Sequence, residues 1–337
     1  MKRHLYLFQL MFLLAVPVCA ASAEASWVKA VGMTVSDMDR SVEFYSALTF
    51  QKISDREVFG KQYEELVGVF GVRMRIVRMQ LGPQSIELTE YLTPRGRAVP
   101  VDSRSNDLWF QHLAIVVSDM TEALEKLRGL KVQFVSTAPQ RLPDWNKAAA
   151  GIEAFYFRDP DQHNLEVIYF PPGKGDPRWQ AKSDKLFLGI DHTAIAISDT
   201  STSLHFYRDL LGFNKTGESE NYGTEQEHLS LVRGAHLRIT GLRAEHGPGI
   251  EFLEYLAPKD GRRRPDNSKP NDIFYWNTIL VSSDFDSILS KLDRENVPYL
   301  SSKVISLSKD ENDSTRAVLI ADPDGHGILL KEEAGIN

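Results

Sequence analysis

The stretch NDLWFQHLAIVVSD, residues 106–119, places one histidine, His112, at the head of an apolar run from Leu113 to Val117. Ser118, Asp119 and Met120 then open an amphipathic helical pattern. A short apolar run followed by an Asp at the start of a helical period reads as a buried strand leading into a capped helix. The same junction recurs as KAVGMTVSD at 29–37, DHTAIAISD at 191–199 and WNTILVSSD at 276–284. The residue seven before the Asp is Ala30, His112, His192 and Asn277 in turn. That variable position carries most of the functional question.

Working outward, each junction opens a unit of strand, helix and three strands. In the first unit Val28 to Val35 reads as a strand and Met38 to about Leu48 as a helix. Met74–Leu81 and Ser85–Leu92 flank a Gly82-Pro83 turn. In the second unit the helix is Met120 to about Leu130, and Phe155 to Phe157 is a strand. The turn Asp159-Pro160-Asp161-Gln162-His163 leads to a closing strand from Asn164 to Phe170. The third unit matches the first, SLHFYRDLLGF at 203–213 against SVEFYSALTF at 41–50. The fourth matches the second, DPDGHGILL at 322–330 against DPDQHNLEV at 159–167. The nearly constant offset indicates duplication of a two-unit domain. The expected organisation is a domain at 27–170, a Pro-, Gly- and charge-rich linker at 171–186, and a second domain at 187–335.

The chain of 337 residues is long enough for two domains, and 42% hydrophobic residues suit a soluble globular protein. A net charge of −7 argues against nucleic acid as a partner. The run Arg262-Arg263-Arg264 reads as a solvated face. Residues 1–23 have the form of a signal peptide: Lys2 and Arg3, an apolar core from Leu5 to Cys19, then small residues at 21–23. That core is too short for an ordinary span and no other long apolar run follows, so a periplasmic or secreted protein with no membrane partner is expected after processing. Cys19 is the only cysteine, which leaves no disulfide and no thiol nucleophile.

Four such units, VSD- and ISD-type helix starts, DPD turns and a His early with a Glu late in the unit resemble the vicinal oxygen chelate superfamily. Glyoxalase I, extradiol dioxygenases and bleomycin-binding proteins belong to it. The resemblance implies an α+β fold of four βαβββ units paired into two open U-shaped barrels, each with a concavity able to hold a metal. It also implies that a monomer can complete both barrels.

Carried over by position, the first domain presents Ala30, Glu87, His112 and Glu166, and the second presents His192, Glu251, Asn277 and Leu329. The resemblance implies that Glu87, His112 and Glu166 hold a divalent ion, with Glu87 or Glu166 doubling as proton shuttle. Two carboxylates and an imidazole suit Zn, Ni, Mn, Co or Fe. Glu166 interrupts the apolar strand NLEVIYF, where a charge is costly unless paired or bound to a cation. His192, Glu251 and Asn277 form a weaker set, because Leu329 removes the late carboxylate.

The expected function is an exported metal-dependent lyase or isomerase of the glyoxalase type, acting on a small substrate with vicinal oxygens. The alternative is a metal-free small-molecule binding or sequestration protein like the bleomycin-binding relatives. Arg73 and Arg75 share a strand face opposite Arg78, and either face could hold an anion. The loop RLPDWN at 141–146 carries charge and an aromatic, a place where specificity often resides. His163 and His326 read as structural residues of their turns.

Overall fold

The structure, a computed structural model, describes residues 27–307 and 316–333. The segment read as a signal peptide lies outside them. Four βαβββ units follow one another. Unit one holds β1 (Trp27–Val35), α1 (Met38–Ala47), β2 (Gln51–Phe59), α2 (Lys61–Val67), β3 (Arg73–Leu81) and β4 (Gln84–Thr93). Unit two holds β5 (Gln111–Val117), α3 (Met120–Gly129), β6 (Gln133–Phe134), β7 (Gln140–Arg141), β8 (Glu153–Arg158) and β9 (Asn164–Tyr169). Unit three holds β10 (Phe187–Ile197), α4 (Thr200–Leu204), β11 (Asn214–Tyr222), α5 (Thr224–Ser230), β12 (His236–Arg243) and β13 (Gly249–Ala257). Unit four holds β14 (Trp276–Ser282), α6 (Phe285–Arg294), β15 (Ile305–Ser306), β16 (Arg316–Ala321) and β17 (Gly327–Glu332). The Asp of each repeated junction precedes its helix, and the Asp37, Asp119 and Asp199 side chains accept a backbone N–H in the first turn. The short helices α2 and α5, inserted before the last two strands of units one and three, are not foreshadowed by the repeat.

The units do not pair in sequence order. The eight-stranded sheet runs β15-β16-β17-β14-β1-β4-β3-β2, so it joins unit one to unit four. The nine-stranded sheet runs β11-β12-β13-β10-β5-β9-β8-β6 and joins unit two to unit three. The seams are antiparallel, β1 with β14 and β5 with β10. Each sheet curls into an open barrel. The expected pairing of unit one with two, and three with four, is replaced by pairing across the linker.

Period-2 alternation distributes each strand between two environments. On β5, Leu113, Ile115 and Val117 face a core shared with unit one, α1 and α3, while Ala114 and Val116 face the barrel shared with unit three. A matching core joins units three and four around Phe206, Phe252, Phe285 and Leu292. The helix-side cores therefore bind consecutive units, and the sheets bind units across the linker.

The linker is itself structured. A 3-10 turn at Pro177–Gln180 buries Trp179, whose indole N–H donates to Asp191 Oδ1 at 2.6 Å. The arginine cluster is also not a solvated face. Arg262 donates to Asp107 at 2.7 and 2.9 Å, and Arg264 is buried against Phe274 and Tyr275. The repeat-related pair Arg97–Asp272, at 2.6 Å, makes the reciprocal clamp. Asp107 and Asp272 follow the Asn of the repeated ND motif, so each half's motif is gripped by an arginine of the other half.

Candidate metal centre

The barrel of units two and three brings four inward-facing side chains together: His112 from β5, Glu166 from β9, His192 from β10 and Glu251 from β13. The ladders explain the convergence. His112 lies opposite Ala194 and His192 opposite Ala114, while Ala114 pairs with Glu166 and Ala194 with Glu251. Every neighbour between the functional side chains is thus an alanine, which leaves room above the sheet.

His112 Nε2 and His192 Nε2 are 3.4 Å apart, and Glu166 Oε2 lies 3.3 Å from the first and 3.5 Å from the second. Glu251 Oε1 is 3.6 Å from His192 Nε2. Four donors around a tetrahedral ion at about 2.1 Å have edges of about 3.4 Å, so these separations fit a cation bound by imidazole and carboxylate. Among the described residues, His112, Glu166 and His192 are the group whose ligand atoms converge in this way. Glu166 Oε2 is buried and lacks a well-directed hydrogen bond, a costly state that a cation relieves. The donor set therefore fits a divalent ion.

The charges are arranged accordingly. Burial raises the Glu166 carboxyl, but His112 and His192 outweigh it and hold the group at about 2. Burial pulls His192 down, yet Glu251, Asp191 and Glu166 hold it well above the ordinary histidine value. Glu251 is raised, by burial first and then by Glu166, against the pull of His192. Behind the site, His192 Nδ1 donates to Asp191 Oδ2 at 2.9 Å, and Arg243 donates to the same oxygen at 2.7 Å. That support fixes which imidazole nitrogen faces the cavity. His112 has no such support, for its buried Nδ1 has no hydrogen-bond partner among the described residues.

Of the set expected from sequence, His112 and Glu166 meet here and Glu87 does not. Glu87 lies on β4 in the barrel of units one and four, which follows from the cross-linker pairing of the sheets. Its cavity is about 60 Å³, narrowed by Tyr63, Tyr91 and Tyr275. Burial raises Glu87, but Lys331, Arg78 and Arg56 outweigh it and leave the carboxyl below its ordinary value. Ala30, Asn277 and Leu329 occupy the remaining ligand positions of that barrel, and Asn277 Oδ1 packs over Gly32 so closely that a Cβ there would lie 2.1 Å away. Asn277 thus belongs with Glu87, while His192 and Glu251 complete the set begun by His112 and Glu166.

A signal for this was present. The four ligand positions are intact in the two middle units and degraded in the two outer ones. That pattern is simplest if the middle units share one barrel.

The other candidates divide. Arg73 and Arg75 are paired with Glu57 and Asp55 on the outer face, and Arg78 lies 3.5 Å from Glu87. The 141–146 loop folds over the middle barrel as part of a hairpin in which Leu142 N donates to Ile152 O at 2.8 Å. The cavity over the four side chains measures about 500 Å³.

The profile of the Glyoxalase/Bleomycin resistance protein/Dioxygenase superfamily matches residues 27–167 and 189–330. Glyoxalase I from Zea mays superposes with a TM-score of 0.60 at 14% identity, over 91% of this chain and 92% of that one. A single-substitution variant of the Zea mays enzyme gives 0.59 at 15% identity, over 91% and 94%. Likeness at such identity speaks for the fold. Comparison with curated proteins returned no match.

Proposed function

For a chain that belongs to the Glyoxalase/Bleomycin resistance protein/Dioxygenase superfamily, we propose the function of an exported, metal-dependent lyase or isomerase acting on a small molecule with vicinal oxygens. His112 Nε2, His192 Nε2, Glu166 Oε2 and Glu251 Oε1 would hold the ion. The observation that carries this reading is the 3.3–3.5 Å triangle of His112, His192 and Glu166 around a carboxylate oxygen lacking a well-directed hydrogen bond.

A divalent ion so held supplies Lewis-acid polarisation of a substrate carbonyl. The protein's own part is distributed among named residues. Glu251 is the carboxylate suited to moving a proton at an oxygen-bearing carbon next to the carbonyl, because burial raises its proton affinity. Glu166, held at about 2, stays ionised and serves as ligand. This moves the shuttle role from Glu87 and Glu166 to Glu251. Asp191 orients His192, and Leu142, Ile152, Leu229 and Ile239 give the cavity an apolar wall. Export rests on the form of residues 1–23.

The test is elemental analysis of protein purified without a metal-affinity tag and reconstituted with divalent ions. About one ion per chain is expected, with loss of that ion in His112→Ala and in Glu166→Gln. Absence of divalent metal after reconstitution sinks the reading and leaves a metal-free binding protein.

A further inference from the structure

The cavity above the four side chains is asymmetric in a way that selects its ligand. One wall is hydrocarbon: Leu142 and Ile152 from the 141–152 hairpin, Phe170, Leu229 from α5, and Ile239 from β12. The charged lining is almost all of one sign. Glu166, Asp176, Asp191, Glu218 and Glu251 contribute carboxylates, of which Asp176 and Glu218 are paired with Arg178 at 3.4 Å and Lys215 at 2.6 Å, and Arg243 is the single Lys or Arg among the lining residues. Arg243 is already engaged, donating from Nη1 to Asp191 O at 2.5 Å and from Nη2 to Asp191 Oδ2 at 2.7 Å.

Once His192 is a metal ligand, an anionic tail would therefore find hydrocarbon and no uncommitted lysine or arginine in the lining, and desolvating it there is unfavourable. A bound divalent ion does not change this, since Glu166 and Glu251 together balance its charge.

One polar group in the wall is unsatisfied. Gln226, on α5, lines the cavity and is 2% exposed, and its Oε1 accepts no hydrogen bond. A buried acceptor without a donor is costly, and a ligand N–H or O–H placed there relieves the cost. By contrast Asn221, on the same rim, already has its Oδ1 filled by Asn146 Nδ2 at 2.7 Å and Ser219 Oγ at 3.1 Å.

We infer that the substrate is an uncharged, largely hydrophobic molecule with vicinal oxygens and, remote from them, a hydrogen-bond donor read by Gln226. A conjugate of an anionic thiol peptide does not fit this cavity. The inference rests on the reading of the four-residue site as metal-dependent, and its test is chosen so that the two can fail separately. A cavity of about 500 Å³ accepts a two-ring molecule of this kind.

The test is calorimetric titration of the full-length processed protein, reconstituted with divalent metal, with three probes. Benzoin is neutral with vicinal oxygens, 4,4′-dihydroxybenzoin adds distal donors, and S-mandeloylglutathione carries vicinal oxygens on an anionic peptide. Dihydroxybenzoin should bind at least about tenfold more tightly than the glutathione conjugate. Gln226→Leu should weaken dihydroxybenzoin about tenfold and leave benzoin within about twofold, so benzoin also reports that the variant is folded. Equal or tighter binding of the conjugate, no binding of benzoin to the parent protein, or equal effects of Gln226→Leu on both benzoins would overturn the inference. Repeating the titrations without metal separates the two readings. Gln226-dependent binding to protein that never takes up metal supports this inference while sinking the proposed enzyme. Metal uptake with preference for the conjugate does the reverse.

Discussion

Asp191 grips the imidazole of its own neighbour, and that local contact has a long-range purpose. Its carboxylate takes His192 Nδ1–H at 2.9 Å, Trp179 of the linker at 2.6 Å and Arg243 of β12 at 2.7 Å. Burial raises the Asp191 carboxyl, but His192, Arg243 and Trp179 outweigh it and keep the group far below its ordinary value. The carboxylate is thus held as an anion that fixes the ring of His192. Asp191→Asn removes the charge and keeps the shape. It should weaken divalent metal binding about 10–100-fold, read by competition with a chromophoric chelator. An affinity within twofold of the parent would refute the positioning role. His112→Ala, which deletes a ligand outright, should abolish stoichiometric binding in the same assay. The identity of these residues was legible in the repeat, and Glu166 was conspicuous as a charge inside an apolar strand. The support of His192 was not legible, because Trp179 and Arg243 reach Asp191 through folding alone.

At the level of elements, the two DPD turns show one motif in two electrostatic states. In the first, His163 Nδ1 donates to Asp159 Oδ2 at 2.8 Å and Nε2 meets Ile273 O at 2.7 Å. Burial pulls this imidazole down, but Asp159 and Asp161 outweigh it and hold it at about 9. In the second, His326 Nε2 meets Ala196 O at 2.9 Å while its buried Nδ1 has no partner. Burial first, then the Arg264 guanidinium, push His326 down to about 4. Because the folded His163 has the higher proton affinity, its stabilisation is complete below about pH 6.5 and is lost as pH rises through about 9. Urea denaturation from pH 6 to pH 9.5 should show stability falling by up to about 3 kcal/mol from this group. In His163→Gln that slope should flatten; an unchanged slope would place the titration elsewhere. His326 acts with the opposite sign, stabilising above about pH 6.5 and losing that contribution as pH falls through about 4. The structural role of both histidines was readable from their place in tight turns. Their opposite charge states were decided by folding, which sets Asp159 against His163 Nδ1 but buries His326 Nδ1 without such a carboxylate and near Arg264.

Across the whole molecule, the two units of each half share a helix-side core, while units of opposite halves share sheets. Units one and two are joined around Leu88, Leu113 and Phe155, yet their strands pair with units four and three. The reciprocal clamps Arg97–Asp272 and Arg262–Asp107 reinforce this exchange, each burying its aspartate. The halves on either side of the linker are therefore interlocked by two ladders and by ion pairs that include both clamps. Cutting the chain at a protease site inserted between the exposed residues Ser183 and Asp184 should leave one particle of unchanged elution volume that retains its metal. Separation into two smaller species without denaturant would contradict the interlocking.

The four-unit repeat, the strand-to-helix junctions that open each unit and the candidate positions His112, Glu166, His192 and Glu251 were legible in the sequence itself. They follow from local period, capping chemistry and constant offsets, none of which needs distant contacts. Which units pair was decided only in three dimensions. Repetition makes the four opening strands β1, β5, β10 and β14 near-equivalent partners, so local pattern does not choose among them. The choice falls to the seams and clamps formed on folding. That choice moved Glu87 into a narrow ion-paired cavity with Asn277 and Leu329, and gathered one intact set of four side chains in the middle barrel.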